Sequence, residues 1–335
     1  MSRYDVTALG ELLIDFTENG MSGQGNPLFE ANPGGAPCNL LAMLQKAGRK
    51  TAFIGKVGDD MFGNMLEERA GSTGIDLAGL VKDQEINTTL AFVHTLEGGD
   101  REFSFYRKPG ADMMLTAEEV SECEDLIRES EIFHFGTLSM THEMVEKATV
   151  KAIEIAKKAG CILSFDPNLR PPLWDSQEKA KEKIAYGFTQ CDILKISDNE
   201  IEFMTGKNNL EEGVYDLIRK YQIPLIFATF GKDGSKAYYL PEDKRSGHAV
   251  PEDYIKVFVN GFINPDTIET TGAGDTFGGC SLHFVLKYGL NGFDEDKLRE
   301  LLTYANAAAS IVTTRKGALC VMPEEEEILS YIASR

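Results

Sequence analysis

A chain of 335 residues, 42% apolar and 26% charged, can bury a large core and has the composition of a soluble globular protein. Its 34 basic and 53 acidic residues leave a net charge of −19, which excludes a general nucleic-acid surface because such a surface needs a basic footprint. A nucleotide site stays open, since one phosphate group needs only a few local donors.

The opening segment MSRYDVTALGELLIDF begins with a predicted strand, Asp5–Leu9. Asp5 and Glu11 interrupt its apolar run and give no signal-peptide plan, so the expected location is cytoplasmic. From Glu11 to Glu30, turn residues (Asn19-Gly20, Gly23, Gly25-Asn26-Pro27) separate short extended pieces. A helical pattern at Pro37–Ala47 stops at Gly48; a strand at Lys50–Lys56 and a helix at Met61–Ala70 follow. Thr88–Arg107 reads as a hairpin, with TLAFVHT and REFSFYR around Glu97-Gly98-Gly99-Asp100. Strands at Glu131–Phe135, Cys161–Phe165, Ile193–Ile196 and Leu225–Thr229 then alternate with helices at His142–Ala159, Gln177–Phe188 and Gly213–Tyr221. Gly160 falls where a left-handed cap should end a helix. This rhythm predicts an α/β fold of three layers, α/β/α, around a mostly parallel sheet. The two irregular regions predict a small β sheet set apart, as a lid or a dimer surface. No apolar run is long enough to span a membrane. The acid run Glu324–Glu327 after Pro323 predicts the first turn of a last helix.

Two glycine clusters carry the chemistry. In IETTGAGDTF (Ile268–Phe277) a loop of small residues leads into a helix whose stripe is Phe277, Cys280, Phe284 and Tyr288, with Gly289 at its end. Asp275 falls in the first turn, the part of a helix best suited to anions. Either it is a dipole-favoured acid in a tight turn, or it is a base beside a bound anion. Glycine on both sides of Ala273 allows a ligand close to the backbone, and the dipole is expected to keep Asp275 ionised. The second cluster, Asn32-Pro33-Gly34-Gly35-Ala36-Pro37-Cys38-Asn39, is either an ordinary helix entry or a polyol site built from Gly34, Gly35 and Asn39. The chain has no Gly-x-x-x-x-Gly-Lys-Ser/Thr loop and no Gly-x-Gly-x-x-Gly after a strand, which weakens a nicotinamide oxidoreductase. Its five histidines and six scattered cysteines show no metal spacing.

GELLIDF (Gly10–Phe16), GGAPCN (Gly34–Asn39), IGKVGDD (Ile54–Asp60), FYRKPGADMML (Phe105–Leu115), FDPNLR (Phe165–Arg170), TFGKDGS (Thr229–Ser235) and TTGAGDTF (Thr270–Phe277) together resemble the ribokinase-like, or phosphofructokinase-B, sugar kinases. The likeness runs over nearly the whole chain. It implies a single kinase domain over residues 1–335 with lid segments near 11–33 and 87–108, and transfer of the ATP γ-phosphoryl group to a sugar hydroxyl. On matching positions, Asp275 is the implied base and the amides of Gly272, Ala273, Gly274 and Asp275 the anion hole. Asp15, Gly34, Gly35 and Asn39 match sugar contacts, with Arg107 a further candidate. Thr229, Gly231, Gly234 and Asn306 match the nucleotide side. Asp166, Asn168 and Arg170 are expected to face the phosphates, although Asp166-Pro167-Asn168 also reads as a capped turn. Lys195, Ser197 and Glu200 fall in the family's Asn-x-x-Glu region, where Glu200 would reach Mg²⁺ through water; Ser197 replaces the usual Asn. A K⁺ site would use Glu269, where the family has Asp, with Thr271, Val312, Arg315 and Gly317. The motifs, with Trp174 nearby, look most like the fructokinases, which implies fructose as substrate. A 2-keto-3-deoxygluconate kinase, with Arg107 or Arg170 on the carboxylate, and a non-catalytic sugar sensor are the alternatives. The implied partners are a sugar and ATP, with no nucleic acid or membrane, and a homodimer formed through the lid.

Overall fold

The computed structural model describes residues 3–95, 101–245 and 247–335. Among the described residues, thirteen strands build two sheets. In chain order they are β1 (Tyr4–Leu9), β2 (Leu13–Met21), β3 (Pro27–Gly34), β4 (Thr51–Gly58), β5 (Asp76–Asp83), β6 (Leu90–Thr95), β7 (Arg101–Tyr106), β8 (Ser130–Gly136), β9 (Ile162–Asp166), β10 (Ile193–Ser197), β11 (Leu225–Thr229), β12 (Gly234–Tyr239) and β13 (Ile255–Asn260). The helices are α1 (Ala36–Lys46), α2 (Met61–Ser72), α3 (Ala117–Glu122), α4 (Glu124–Arg128), α5 (Glu143–Ala159), α6 (Gln177–Gln190), α7 (Asp198–Thr205), α8 (Leu210–Tyr221), α9 (Ala273–Tyr288), α10 (Glu295–Val312) and α11 (Glu325–Ala333).

The large sheet has nine strands in the order β13-β12-β11-β10-β9-β8-β1-β4-β5. It is parallel from β11 through β5, while β12 and β13 add an antiparallel edge. Both faces are covered, which is why the central strands are apolar on each side. Val6, Ala8, Ile132 and Phe227 face a core that also holds Leu41 of α1, Phe277 of α9 and Leu301 of α10. Leu9, Phe133, Phe135 and Phe165 face a second core with Ile153 of α5, Ile184 of α6 and Leu217 of α8. Gly160 ends α5 at φ 79°, a conformation that costs an L side chain energy and glycine almost none.

The small sheet runs β3-β2-β6-β7, joining the two irregular regions. β2 pairs antiparallel with β3 and parallel with β6, and β6 pairs antiparallel with β7. The hairpin strands are therefore present as expected, and its turn, Glu97–Asp100, lies outside the described residues. After β1 the chain reaches β4 and β5 on one side and β8 onward on the other, so the direction of winding reverses between β1 and β8. In open parallel sheets the crevice at the carboxyl ends beside such a reversal is where ligands bind.

Candidate active site

The carboxyl ends of the strands carry several of the quoted motifs: Gly10-Glu11 follows β1, Asp166–Arg170 leaves β9, and Thr229–Gly234 links β11 to β12. Two cavities open there. The larger, about 810 Å³, lies between the two sheets and is lined by Glu11, Asp15, Asn39, Asn168, Arg170, Glu269, Thr271 and Asp275, with Val93 and Phe105 of the small sheet among its walls. The smaller, about 480 Å³, is lined by Thr229, Gly231, Gly234, Phe262, Ile263, Gly274, Phe277 and Asn306. Thr270 lines both, so the start of α9 forms the partition.

That partition is built for close approach. Gly272 caps α9 at φ 76°, and a side chain there would also strike Ala318, whose Cβ lies 2.5 Å from the added carbon. The N–H groups of Gly274 and Asp275 lie in the first turn, where the helix itself offers no acceptor. Ala273 N–H donates to the Thr270 carbonyl at 3.3 Å, so of the four expected anion-hole amides this one is already engaged in the turn. Below Gly274 sits Lys195; its Nζ would lie 3.1 Å from a Cβ on Gly274 and forms an ion pair with Asp166 at 2.9 Å. Burial opposes the Lys195 charge, but Asp166, Glu200 and Asp275 outweigh it and raise the lysine pKa. A permanent cation thus lies beneath the helix start, adding to its pull on anions.

Asp275 accepts a hydrogen bond from Asn39 Nδ2 at 2.8 Å, linking α9 to α1. Asn39 Oδ1 is buried with no hydrogen-bond partner among the described residues. The dipole is not the only influence on Asp275. Although the acid keeps some exposure to the cavity, burial raises its pKa, and the Asn39 bond, Lys195 and Arg170 oppose the rise. Asp15, on β2 across the cavity, is pushed up to about 7, chiefly by burial. Gly34 makes room for it, because a Cβ at 34 would stand 2.6 Å from Asp15 Oδ2. Gly35 caps α1 at φ 135°, with its missing Cβ position 2.3 Å from the Glu11 carbonyl oxygen.

Glu11 is the residue the motif reading passed over. It is buried on the cavity wall, its Oε1 accepts the Ala36 N–H at 2.9 Å, and burial pushes its pKa up to about 7. Its signal was an acid just beyond a buried strand, where an uncompensated charge is costly and needs a reason.

Several expected site residues stand behind the walls. Arg107, a candidate sugar contact, lines neither cavity. It is buried, with Nε 2.8 Å from Asp112, Nη1 2.8 Å from Thr141 Oγ1 and Nη2 2.9 Å from the Leu138 carbonyl. A guanidinium so committed ties β7 to the body of the protein. Asp166 is also buried, accepting from Asn168 N–H at 3.1 Å, so the capped-turn reading of Asp166-Pro167-Asn168 describes its geometry. Asn168, at φ 44°, and Arg170, bonded to it at 2.8 Å, do reach the larger cavity. Both Glu200 oxygens accept backbone N–H groups, one from Leu169 and one from Ser197, each at 2.8 Å. Asn306 lines the smaller cavity, but its amide accepts from Ser235 at 2.8 Å and donates to the Val259 and Asn260 carbonyls. Glu269 reaches the loop after α10, where its Oε1 accepts the Gly317 N–H at 2.9 Å. In the same turn Arg315 N–H donates to the Val312 carbonyl at 3.1 Å.

An anion-binding helix start between two cavities, with a carboxylate turned toward one of them, can hold a transferred anionic group while accepting a proton. The comparisons agree with that chemistry. The pattern of the pfkB family carbohydrate kinases matches residues 4–325. The chain is 41% identical over 330 residues to Fructokinase-1 of Zea mays, covering 98% of this chain and 97% of that protein. It is 40% identical over 331 residues to Fructokinase-1 of Oryza sativa subsp. japonica, covering 98% of each. Among solved structures, a fructokinase from Xylella fastidiosa with bound ATP superposes with a TM-score of 0.84 at 27% identity over 98% of both chains. A fructokinase double mutant from Vibrio cholerae O395, bound to fructose, ADP and potassium ion, superposes with a TM-score of 0.83 at 27% identity over 99% of each. With the family pattern matched over nearly the whole length, this chain belongs to the PfkB family of carbohydrate kinases.

Proposed function

We propose that this protein is an ATP-dependent fructokinase, converting D-fructose to fructose 6-phosphate. The observation that carries the reading is the partition: one helix start, with Asp275 facing the larger cavity, separates two cavities of suitable size for a sugar and a nucleotide. Asp275 takes the proton from the attacking hydroxyl, while the first-turn amides of Gly274 and Asp275 and Lys195 stabilise charge on the phosphoryl group. Asn39 aligns the base, and its unpartnered Oδ1 awaits a sugar hydroxyl. Asp15 lies opposite as a second sugar contact, and the apolar walls near Phe262 and Ala309 receive the base of ATP.

Among the described residues no group of three or more acidic, histidine or cysteine side chains could hold a metal ion alone. Mg²⁺ therefore fits as an ion carried by the nucleotide phosphates, where it would neutralise phosphate charge, while Glu200, with both oxygens on backbone N–H groups, would hold the Leu169 and Ser197 backbone beside it. K⁺ fits beside Glu269, Thr271 and the Val312–Gly317 turn, where one carboxylate is already in place. The chain is read as one kinase domain whose small sheet closes the sugar side. Met21, Leu28, Phe29 and Tyr106 of that sheet are exposed apolar residues, which supports a homodimer formed through it.

The test is ADP release from Mg-ATP with fructose, ribose, tagatose, fructose 6-phosphate and 2-keto-3-deoxygluconate, each with and without K⁺. Fructose is expected to give the highest kcat/KM, and Asp275→Asn to lower kcat by about 10²- to 10⁴-fold. Preference for the keto acid would move the reading to that substrate and to Arg170, since Arg107 is engaged elsewhere. No turnover with any sugar, in wild type as in the mutant, would leave a non-catalytic sugar sensor.

A further inference from the structure

A third cavity, of about 10 Å³, lies between the sheet and α9, and His134, Ser164, Asp166, Lys195 and Ser281 are in its lining. The strand register brings the first four together. His134 stands opposite Ser164 across β8 and β9, and Ser164 opposite Ile193 across β9 and β10. Side chains two apart share a face of a sheet, so Asp166 and Lys195 continue the same polar strip under the helix. Ser164 Oγ and His134 Nδ1 lie 3.0 Å apart, and neither atom has another partner among the described residues. The Ser164 hydroxyl therefore donates to Nδ1, which leaves the ring hydrogen on Nε2. Burial and then the Lys195 charge push the His134 pKa down to about 3, so the ring is neutral. Its Nε2–H has no acceptor among the described residues, although His134 is only 4% exposed. Lys195 spends one of its three hydrogens on Asp166 at 2.9 Å. A buried donor is costly unless an acceptor reaches it.

We propose that this cavity binds one structural water, and that through it His134 positions Lys195 for phosphoryl transfer. The second half rests on the kinase reading above; the first does not. The space suits a single water, and the lining offers the two to four polar partners that a buried water needs. Its oxygen accepts from His134 Nε2–H and from a Lys195 N–H. Its hydrogens go to Asp166 Oδ2 and to Ser281 Oγ, whose own hydrogen is given to the Phe277 carbonyl at 2.8 Å. Lysine is a point charge on a flexible stem, and one ion pair fixes it on one side only. The water supplies a second anchor, on the β8 side, and leaves one N–H for the start of α9. There Nζ would stand 3.1 Å from a Cβ added at Gly274. A cation fixed before the reaction needs no reorganisation as charge develops on the phosphoryl group. His134 lines neither of the two larger cavities, so it acts through the lysine and is a positioning residue.

The site is tested on the unaltered protein. A high-resolution crystal structure should show one water within hydrogen-bond distance of both His134 Nε2 and Lys195 Nζ, and imidazole ¹⁵N shifts at neutral pH should report the Nε2–H form. No water there, or the Nδ1–H form, overturns the proposal. The positioning role is tested by turnover of fructose with Mg-ATP. His134→Phe keeps a ring and removes the donor, and should lower kcat by about 10- to 100-fold while the KM for fructose stays within about twofold. His134→Gln, which retains an N–H, should recover most of that loss. In a Lys195→Met background His134→Phe should change kcat by less than about twofold; a fall as large as in the wild-type background would mean that His134 only packs. Should His134→Phe not fold, Ser281→Ala takes its place in the cycle: a fall in kcat that vanishes with Lys195→Met upholds the role, and an unchanged kcat overturns it. Should no sugar be turned over, the kinase reading and the positioning role fall together, and the crystal structure still decides the water.

Discussion

A single amide, Asn39, connects the helix entry at Gly35 to the acid in α9. Its NH₂ holds Asp275 at 2.8 Å, and this bond is the first of the influences that oppose the burial-driven rise of the Asp275 pKa. Only the ionised carboxylate can take a proton, so activity must fall as pH drops through that pKa. Removing the donor leaves burial less opposed, and the acidic limb of kcat should move to higher pH. A hydrogen bond to the charged form favours that form, so Asn39→Ala should move the acidic limb measurably to higher pH. Asn39→Asp should shift it further, because a like charge then stands beside the base. The check is kcat against pH for wild type and both variants. A limb that stays put in both would mean that Asn39 only packs, or only binds sugar.

The elements differ in how far the sequence foretold them. Leu225–Thr229 has the same bounds in both readings, and Tyr4–Leu9 differs by one residue, because an apolar run buried on both faces is its own signal. β12 and β13 were not foreseen: they are an antiparallel edge whose exposed face admits Lys236 and Phe258, and a long connection separates them. The two glycine clusters were legible because steric need is local. The commitments of Arg107 to Asp112 and Thr141, and of Asn306 to Ser235 and Val259, were not, since their meaning depends on which partners the fold brings near. The glycines themselves should separate by element. At Gly35 a Cβ would lie 2.3 Å from a backbone oxygen at φ 135°, so Gly35→Ala should lose at least about 1–3 kcal/mol of stability and lower Tm. At Gly274 the near neighbour is the movable end of Lys195, so Gly274→Ala should fold with nearly wild-type Tm. It should still lose kcat, because the methyl displaces the cation beneath the helix start. Scanning calorimetry and kcat on the two variants decide this; equal loss of Tm would refute the distinction.

At the scale of the whole molecule, the acids that line the larger cavity link folding to pH. Glu11 rises from the ordinary 4.5 to about 7 and Asp15 from 3.8 to about 7, both chiefly through burial. Between the unfolded values and about 7 the native protein therefore binds more protons than the unfolded chain. Stability then falls as pH rises across that window, because the proton lost on unfolding is held more tightly in the fold. Below the unfolded values, and above about 7, these two groups give no further slope. The net charge of −19 works in the same direction, since self-repulsion grows as carboxylates ionise. The ligand-free protein should thus show a Tm that declines from about pH 5 to pH 7.5, measured at constant ionic strength. Glu11→Gln separates the two causes. It removes one buried titration and changes the overall charge by a single unit, so the decline should become clearly shallower if the cavity acid drives it. An unchanged slope would assign the effect to the surface charge and leave Glu11 as an acid that is ionised throughout the range.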